Sequence, residues 1–531
     1  MPMTPRRTRT APPLRGLVLA TLLAGACAPV PLPPAAAPVP EAKRLRVLHT
    51  NDFHGRLLPQ TPSWAAGRAV GGAAVLAAHF DSARARFAGA TLVLSAGDMM
   101  QGTAISNLSW GRSSIDVHNA SRYDAAALGN HEFDWGQDTL RARIRESRFP
   151  WLAANLHVAG TDRHPEWARP WTMVERAGVR VGVIGIALPA TPEVVVPGRV
   201  AGLDFRAEAP AIDRYAREAR AAGADFVVVT MHVGAQCEEA GRGEEAESTG
   251  CRGEMVDVAR AVTEPIDLMV GGHTHLRVMT TENGIPLMEA ASYSTAYSVT
   301  DLERSGGQTR VTGRAVRIPY ADQVTPDTMV ARVVRDWEAR VRPITQRVVA
   351  TSAAELPRGP GEYALGNLLA DAIRRATGAQ ASIINNGSIR RDIPAGPLDY
   401  GVLYELQPFQ NALSRVEVSG AQLRAALENA VSGGAPSAHV AGLTVEYSPA
   451  RPAGQRIRSI RLDGGRLVGD ADRVTLGLTE FMAGGGDRYT SLAGGRATST
   501  GQVDLDAVID YLRALPQPVR APATGRWRRV D

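Results

Sequence analysis

Lysine, cysteine and aromatic residues are scarce in this chain of 531 residues. Lys43 is its one lysine, three residues are cysteine, and 5% of residues are aromatic. The chain also lacks long apolar runs, although 44% of its residues are hydrophobic and 21% are charged. This composition excludes a disordered, collagen-like or multi-span membrane protein, and the length predicts two to four globular domains.

The N-terminal residues predict export and attachment to a membrane. Residues 1–26 combine an arginine-rich stretch with a short apolar run, which is typical of a signal peptide. The run Leu22-Leu23-Ala24-Gly25-Ala26-Cys27 resembles a bacterial lipobox and predicts lipidation of Cys27, although Ala24-x-Ala26 also fits an ordinary cleavage site. Residues 27–42, mostly proline, alanine and valine, predict an extended tether. We therefore expect a periplasmic or cell-envelope lipoprotein.

The net charge argues against a nucleic-acid polymer as a partner. The whole chain has a formal charge of +5, but four of its arginines lie within the predicted signal peptide. Without them, 55 basic residues face 54 acidic residues, which leaves a net charge of +1. A nearly neutral protein has no overall field to attract phosphate backbones.

The odd number of cysteines fits lipidation of one of them. With Cys27 lipidated, Cys237 and Cys251 remain, and they flank a loop rich in glycine and glutamate. We predict a disulfide between them, because exported chains pass through oxidising compartments. Two free thiols are the alternative.

Apolar runs divide the rest of the chain into two halves. Short strands alternate with amphipathic helices over residues 43–325, which predicts an α/β layered domain. Residues 326–348 predict a long linker helix, and residues 349–531 predict a second, α+β domain. The strands predicted for the first half are Leu45–Thr50, Thr91–Ser95, Val179–Ile186, Phe226–Met231 and Leu268–Val270.

Polar motifs follow these strands directly. They are Asn51-Asp52-Phe53-His54-Gly55, Gly97-Asp98, Gly129-Asn130-His131-Glu132-Phe133-Asp134, Met231-His232 and Gly271-Gly272-His273-Thr274-His275. In α/β sheets such side chains converge beyond the carboxyl ends of the strands. Oxygen ligands mixed with imidazoles suit Zn, Mn, Fe or Co better than Ca. One such motif is usually structural, whereas five in succession predict a metal centre.

In this order the motifs resemble those of the calcineurin-like metallophosphoesterases. Three runs of the second half are similar to the C-terminal domain of bacterial and animal 5′-nucleotidases. They are Asn385-Asn386-Gly387-Ser388-Ile389-Arg390, Gln407-Pro408-Phe409-Gln410-Asn411 and Phe481-Met482-Ala483-Gly484-Gly485-Gly486-Asp487. The resemblance covers about residues 43–510. It implies a four-layer metallophosphoesterase β-sandwich flanked by helices, followed by an α+β substrate-binding domain.

The resemblance also implies two divalent metal ions, which would be Zn, Mn, Co or Fe. The first would bind Asp52, His54, Asp98 and His275. The second would bind Asp98, Asn130, His232 and His273, so that Asp98 is shared. His131 would stabilise the transition state or the leaving oxygen, and Asp134 would orient its imidazole.

The second domain would bind the substrate. Arg390 would hold its phosphate, and Phe409 and Phe481 would stack on the base. The remaining substrate contacts would come from Asn385, Asn411 and Asp487. Relatives usually place an arginine just before the helix that carries Leu-Gly-Asn, and none stands there in this chain. That phosphate contact is therefore either absent or supplied by Arg358 or Arg391, which leaves the substrate preference open.

The function implied is hydrolysis of nucleoside 5′-monophosphates, with UDP-sugars as further substrates. A 2′,3′-cyclic-nucleotide phosphodiesterase with 3′-nucleotidase activity, or a thiosulfohydrolase, is the alternative on the same scaffold. A binding protein with an inactive site is disfavoured, because the full set of ligands is present. The preferred base, the native metals and the oligomeric state stay open at this point.

Overall fold

The computed structural model of the chain describes residues 42–196, 198–240 and 243–531. The predicted signal peptide, Cys27 and the tether before Ala42 lie outside the described residues. Within the described ranges, no helix is long and apolar enough to span a membrane.

The first half alternates strands with helices, as predicted. Its strands are β1 (Lys43–Thr50), β2 (Ala90–Ser95), β3 (Ala125–Ala127), β4 (Trp151–Leu152), β5 (Leu156–Val158), β6 (Trp171–Arg176), β7 (Val179–Ile186), β8 (Leu203–Phe205), β9 (Phe226–Met231), β10 (Leu268–Gly271), β11 (Arg277–Glu282), β12 (Ile285–Ala290), β13 (Tyr297–Ser305) and β14 (Gln308–Arg317). Its helices are α1 (Ala73–Ala85), α2 (Ala104–Asn107), α3 (Arg112–Ala120), α4 (Gly136–Glu146), α5 (Thr191–Val194), α6 (Glu208–Ala221) and α7 (Glu254–Ala261). The five predicted strands correspond to β1, β2, β7, β9 and β10.

Most of these strands form two six-stranded mixed sheets. The first sheet has the order β14-β13-β1-β2-β3-β4, and the second has the order β11-β12-β10-β9-β7-β6. Strands β1 to β4 run parallel in the first sheet, as do β7, β9, β10 and β12 in the second. The carboxyl ends of the parallel strands therefore lie at one edge of each sheet, which is where the polar motifs begin.

The two sheets pack face to face between layers of helices. Apolar side chains of β1, β2, β7, β9 and β10 fill the space between the sheets, among them Leu92, Val183 and Val228. The outer face of the first sheet packs against α1, α3 and α4, and the outer face of the second packs against α6 and α7. This arrangement confirms the predicted four-layer sandwich.

Helix α8 (Thr328–Thr345) follows the first half. The Asp327 carboxylate caps its N-terminus by accepting a hydrogen bond from the Val330 amide at 2.8 Å. Val330, Val334 and Val341 pack into the same cluster as α1 and α3. The helix is therefore part of a packed core, and it ends three residues before the predicted limit because β15 begins at Val348. Residues 42–531 form one compact unit, and the predicted domain boundaries stay predictions.

The second half has an α+β arrangement. Its strands are β15 (Val348–Ser352), β16 (Ala381–Asn385), β17 (Gly396–Asp399), β18 (Ala412–Ser419), β19 (Ala438–Ala441), β20 (Leu443–Tyr447), β21 (Ile457–Leu462), β22 (Arg473–Thr479), β23 (Arg496–Val503) and β24 (Trp527–Arg529). Its helices are α9 (Ala364–Thr377), α10 (Tyr400–Leu406), α11 (Gly420–Ala430), α12 (Glu480–Ala483) and α13 (Asp504–Ala514). The main sheet has the order β19-β16-β22-β18-β23, with α9 and α13 in one apolar cluster and α11 in another.

The predicted disulfide is present between Cys237 and Cys251. It closes the loop that connects β9 to α7, where two isolated bridges also pair the flanking segments. In the chain-entropy model, a disulfide that closes a loop of this length stabilises the folded state by about 3 kcal/mol, because it restricts the unfolded chain.

Candidate active site

The motifs after β1 and β2 form two loops that are joined through their backbones. The amides of Asp52, His54 and Gly55 donate hydrogen bonds to the carbonyls of Gly97, Asp98 and Met99, at 3.0, 2.9 and 3.1 Å. These bonds extend the parallel pairing of β1 with β2 beyond the ends of the strands. They bring Asp52, His54 and Asp98, which are 0 to 1% exposed, to the same edge of the first sheet.

The structure gathers the predicted ligands into two adjacent groups. Asp52, His54 and His275 form the first group, and Asp98, His232 and His273 form the second. In each group the potential ligand atoms lie within 4.8 Å of one another. Asn130 joins the second group, since its Oδ1 lies 3.0 Å from Nε2 of His232.

Asp98 faces both groups. Its Oδ2 lies 3.1 Å from Nε2 of His232 and 3.9 Å from Nε2 of His54. Its other oxygen accepts a hydrogen bond from the His131 amide at 2.9 Å, which fixes the carboxylate in this orientation. The geometry suits the bridging position that the sequence predicts for this residue.

The backbone is strained at these positions. Asp52, His54, Asp98, His273 and His275 all have φ between 49° and 77°. A residue other than glycine costs roughly 1–2 kcal/mol in this left-handed region. Strain of this kind concentrates at functional sites, where the surrounding structure holds it in place.

The donor atoms fit divalent metal ions. The Nδ1 atoms of His54 and His232 bond to the carbonyls of Gln101 and Ala96 at 2.7 and 2.8 Å, so their Nε2 atoms point into the site. Nε2 of His54 lies only 3.1 Å from Nε2 of His275. Oδ1 of Asp52 is buried without a hydrogen-bond partner among the described residues. A divalent cation at each group would satisfy the donor atoms that face it.

The pKa shifts of the histidines are also consistent with metal binding. Burial lowers the pKa of His54 well below its usual range and that of His273 to about 4, so both imidazoles are neutral, as metal ligands must be. Burial also acts on His232, but Asp98 outweighs it and raises the pKa to about 10. Nε2 of His232 lies 3.1 Å from Oδ2 of Asp98, so this carboxylate stabilises positive charge at that point, and a metal ion would supply such a charge.

His131 and Asp134 lie next to the two groups, as predicted. Nδ1 of His131 is 2.7 Å from Oδ2 of Asp134, and Nε2 points towards Asp98 at 4.0 Å. Burial disfavours the imidazolium, but Asp134 and Asp98 outweigh this effect and raise the pKa of His131. The histidine can therefore carry a proton into the site on Nε2.

Two buried carboxylates support the loops, and the sequence analysis assigned neither. Glu132 accepts hydrogen bonds from the amides of Asp98, Met99 and Gly129 at 2.8 to 2.9 Å. Glu289 accepts from the Thr274 hydroxyl at 2.5 Å and from two amides of the neighbouring loops. Burial raises the pKa of Glu132 to about 7 and that of Glu289 to about 8. Glu132 stands inside a quoted motif, but only the fold shows its partners.

A cavity of about 260 Å³ opens beside the second metal group, between the two halves. Asn130, His131 and His273 line one side. All six substrate residues predicted in the second half line the other, namely Asn385, Arg390, Phe409, Asn411, Phe481 and Asp487. The structure therefore brings both predicted sets to one cleft.

The two phenylalanines differ in their surroundings. The ring of Phe409 stacks on His131, with centroids 5.6 Å apart and an interplanar angle of 28°. The Arg390 guanidinium lies 5.8 Å from the same ring, and its Nη2 is 3.4 Å from Nε2 of His54. Phe481 instead packs over Gly486, where a Cβ atom would lie 2.3 Å from the ring. Both rings are partly exposed to the cavity.

Neither candidate for a second phosphate contact lines the cavity. Arg358 pairs with Asp392 at 3.0 Å and Arg391 pairs with Glu405 at 2.8 Å. Arg199 of the first half does line the cavity, and so the cavity has a cation that the sequence analysis missed.

Asp504 is a further residue that the sequence analysis missed. It is completely buried, and its Oδ2 accepts a hydrogen bond from Nδ2 of Asn411 at 3.3 Å. Burial raises the pKa of Asp504 to about 7. The residue holds Asn411 at the wall of the cavity.

Comparisons with known proteins agree with this geometry. The calcineurin-like phosphoesterase model matches residues 45–277, and the model of the 5′-nucleotidase C-terminal domain matches residues 346–494. The chain is 27% identical to Endonuclease YhcR of Bacillus subtilis over 92% of its own length, but it spans only 41% of that protein. It is 26% identical to a 5′-nucleotidase of Vibrio parahaemolyticus, with 89% of each chain covered.

The crystal structure of a 5′-nucleotidase precursor from Thermus thermophilus superposes with a TM-score of 0.81 at 28% identity. The match covers 92% of this chain and 99% of that one. Together with the two candidate metal groups, these matches identify a metal-dependent phosphoester hydrolase. The chain belongs to the 5′-nucleotidase family, with a calcineurin-like phosphoesterase domain followed by a 5′-nucleotidase C-terminal domain.

Proposed function

We propose that the protein is an exported phosphohydrolase that removes the 5′-phosphate from nucleoside monophosphates. The observation that carries this proposal is the cavity between the halves, where the Phe409 and Phe481 rings line the space next to the two metal groups. A volume of about 260 Å³ is near the lower end of the range for ligand pockets, so it suits one small ligand. A nucleoside monophosphate has a phosphate for the metal side of this cavity and a base for its aromatic side.

The phosphate end of the substrate would lie at the metal groups. Two divalent ions, when bound there, supply an activated water and neutralise charge on the phosphoryl oxygens. Arg390 reaches this end, since its Nη2 is 3.4 Å from Nε2 of His54. Its planar guanidinium can bind two phosphate oxygens at once and so orient the group.

His131 would act on the leaving side of the phosphate. Asp134 fixes its tautomer through Nδ1, and the raised pKa keeps a proton on Nε2. That proton can stabilise charge that develops on the departing 5′-oxygen, a contribution of about 10²–10⁴-fold in rate. The Phe409 ring stacks on the same imidazole, so the side chain proposed to contact the base also packs against the proposed proton donor.

The nucleoside would be held by the second half. Phe481 offers one aromatic face to the base, and Asn385, Asn411 and Asp487 surround it with polar groups. Asn385 donates to Asp487 at 2.6 Å, so this pair is already oriented. Carboxylate and amide oxygens at this position suit ribose hydroxyls or the edge of a base.

A hydrolysis panel on the mature chain tests the proposal, with Zn, Mn or Co added separately. Phosphate release is measured for AMP, nucleotide products for 2′,3′-cyclic AMP and UDP-glucose, and sulfate release for a thiosulfonate. We expect AMP to be turned over with the highest kcat/KM. Faster turnover of cyclic AMP or of the thiosulfonate would contradict the proposal and favour one of the alternative enzymes on this scaffold.

We also propose that Cys27 carries a lipid that holds the enzyme at a membrane. The motif around Cys27 supports this, together with the export signal before it. The test is a Cys27→Ser variant compared with a Cys237→Ser/Cys251→Ser variant, followed by fractionation. Release into the soluble fraction is expected for the first variant alone. Unchanged membrane association of Cys27→Ser would contradict lipidation.

A further inference from the structure

A second, larger concavity lies on the first half of the chain. This groove of about 1070 Å³ is formed by α4, by the segments around residues 147–151 and 163–169, and by residues 201–203. It borders β4, the edge strand of the first sheet. None of the candidate active-site residues lines it, so the hydrolysis proposed above leaves it without a role.

The groove is strongly basic. Arg141, Arg145, Arg148, Arg163 and Arg169 line it, all with exposed side chains, and Glu166 is the one acid among the lining residues. Arg141 has a loose contact with Asp138 at 3.8 Å. The other four arginines make no ion pair and no side-chain hydrogen bond with any residue that the structure describes. His164 adds no charge, because burial lowers its pKa.

This concentration of charge differs from the chain as a whole, which is almost neutral without its signal peptide. A concave surface lined by one sign of charge focuses its field and raises the local concentration of anions. Guanidinium groups match phosphate oxygens in pairs, and they are weakly hydrated compared with ammonium groups. Four unpaired guanidinium groups in one groove therefore suit a ligand with several phosphates in a row.

An aromatic residue lies in the same wall. Trp167 is partly exposed in the groove and packs edge-on against Phe133, with ring centroids 6.4 Å apart. Phe133 belongs to the motif that carries His131 and Asp134. Basic grooves that also present an aromatic face are typical of surfaces that bind single-stranded nucleic acid, because each unpaired base can stack.

The groove also begins next to the nucleotide cavity. Gln137 lines the groove, and its amide donates hydrogen bonds to the carbonyls of Arg199 and Ala201 at 3.4 and 2.9 Å. Arg199 lines the cavity, whereas Ala201 lines the groove. One short segment, residues 199–201, thus contributes to both concavities, which places the groove on the side of the molecule where a chain bound at the cavity could continue.

We propose that this arginine groove binds the backbone of single-stranded nucleic acid. The phosphodiester groups pair with Arg145, Arg148, Arg163 and Arg169, and a base stacks on Trp167. This proposal departs from the expectation of no nucleic-acid partner, because that expectation rested on the net charge of the whole chain and not on the charge of one groove. Binding at the groove does not depend on hydrolysis in the cavity.

The test measures fluorescence anisotropy of a labelled oligo(dT) of about 15 nucleotides that has no terminal phosphate. The mature chain is compared with an Arg145→Glu/Arg148→Glu/Arg163→Glu variant. We expect at least tenfold weaker binding, and a slope of log affinity against log salt that is smaller by about 2, from roughly 0.7 per phosphate contact. AMP hydrolysis should stay unchanged and so report an intact fold.

The matched control is Arg332→Glu/Arg335→Glu, which reverses two exposed arginines on α8 that make no ion pair with any described residue. It should bind the oligonucleotide like the parent protein. The proposal is overturned if the parent does not bind at low salt, or if the groove variant binds normally or no worse than the control. A groove variant that loses binding to phosphatidylglycerol vesicles but keeps oligonucleotide binding would instead assign the groove to a membrane surface.

Discussion

Substitution of the two cavity phenylalanines should separate substrate binding from chemistry. Phe481 lines the cavity, packs over Gly486 and against the apolar cluster of α11, and belongs to neither metal group, so Phe481→Ala removes one stacking face and leaves the metal ligands in place. Loss of one base–aromatic stack costs about 1–3 kcal/mol. Since 1.4 kcal/mol is a factor of ten, kcat/KM for AMP should fall by about 5- to 150-fold.

Phe409 should behave differently. Its ring stacks on His131, and the Arg390 guanidinium lies 5.8 Å from it. Phe409→Ala therefore removes a stacking face and also loosens the imidazole that faces the leaving oxygen. We expect this variant to lose activity towards AMP and, to a smaller degree, towards para-nitrophenyl phosphate, which has no base to stack.

The assay is a comparison of kcat/KM for AMP and for para-nitrophenyl phosphate in each variant. Phe481→Leu keeps apolar volume without the ring, and Phe87→Ala applies the same truncation to a partly exposed ring that packs under Arg46, away from the cavity. The expected pattern is a loss for AMP alone in both Phe481 variants and no loss in Phe87→Ala. Equal losses for both substrates in Phe481→Ala would refute the stacking role and make the ring a structural support.

Other substitutions test the metal centre, the proton donor and the acid stability. Asp98→Ala should abolish hydrolysis and bound metal, measured by elemental analysis, because its carboxylate faces both groups; a variant that kept two metals would contradict this. Asp134→Asn should lower the pKa of His131, because it removes the charge of its hydrogen-bond partner. A charge-assisted hydrogen bond is worth roughly 1.5–3 kcal/mol, so kcat should fall by about 10- to 100-fold. KM should change little, and the pH profile of kcat should shift. Burial lowers the pKa of His439 from 6.5 to about 4, so the unfolded chain binds more protons between these values and stability should fall as the pH drops. Between about pH 7 and 4, the free energy of unfolding of the parent, measured with urea, should therefore fall by about 3 kcal/mol more than that of His439→Leu. Equal losses in the two proteins would show that His439 is not the source of this pH dependence.

The metal side of the site could be predicted because its signals are local. Each ligand follows directly after an apolar strand, and parallel strands in a sheet bring their carboxyl ends to one edge. Asp52 and His54 follow β1 and Asp98 follows β2, so their neighbouring strands bring these residues together at one edge of the first sheet. His232 follows β9 of the second sheet and meets them because the two sheets pack face to face. The alternation of apolar strands with helices predicted an α/β layered domain, whereas the four-layer arrangement was an implication of the family resemblance.

The relation between the two halves could not be derived in this way. Contacts such as Phe409 on His131 join residues that are far apart in the chain, and no periodicity reports them. Arg391 directly follows Arg390 and Arg358 lies shortly before helix α9, yet Glu405 and Asp392 pair with them. Arg199, which does reach the cavity, lies in a turn before β8 with no motif around it.

One of the two supporting carboxylates, Glu289, could have been recognised from the sequence. Glu289 stands in β12, whose other residues are all apolar, and an acid in such a strand is buried only if it is hydrogen-bonded or protonated. In the fold it accepts hydrogen bonds from the loop that carries His273 and His275, while Glu132 does the same for the loop that carries Asp98. Each acid thus stabilises a loop whose backbone is strained at its metal ligands. A buried acid in an apolar strand therefore indicates a positioned loop, although only the fold can say which loop it is.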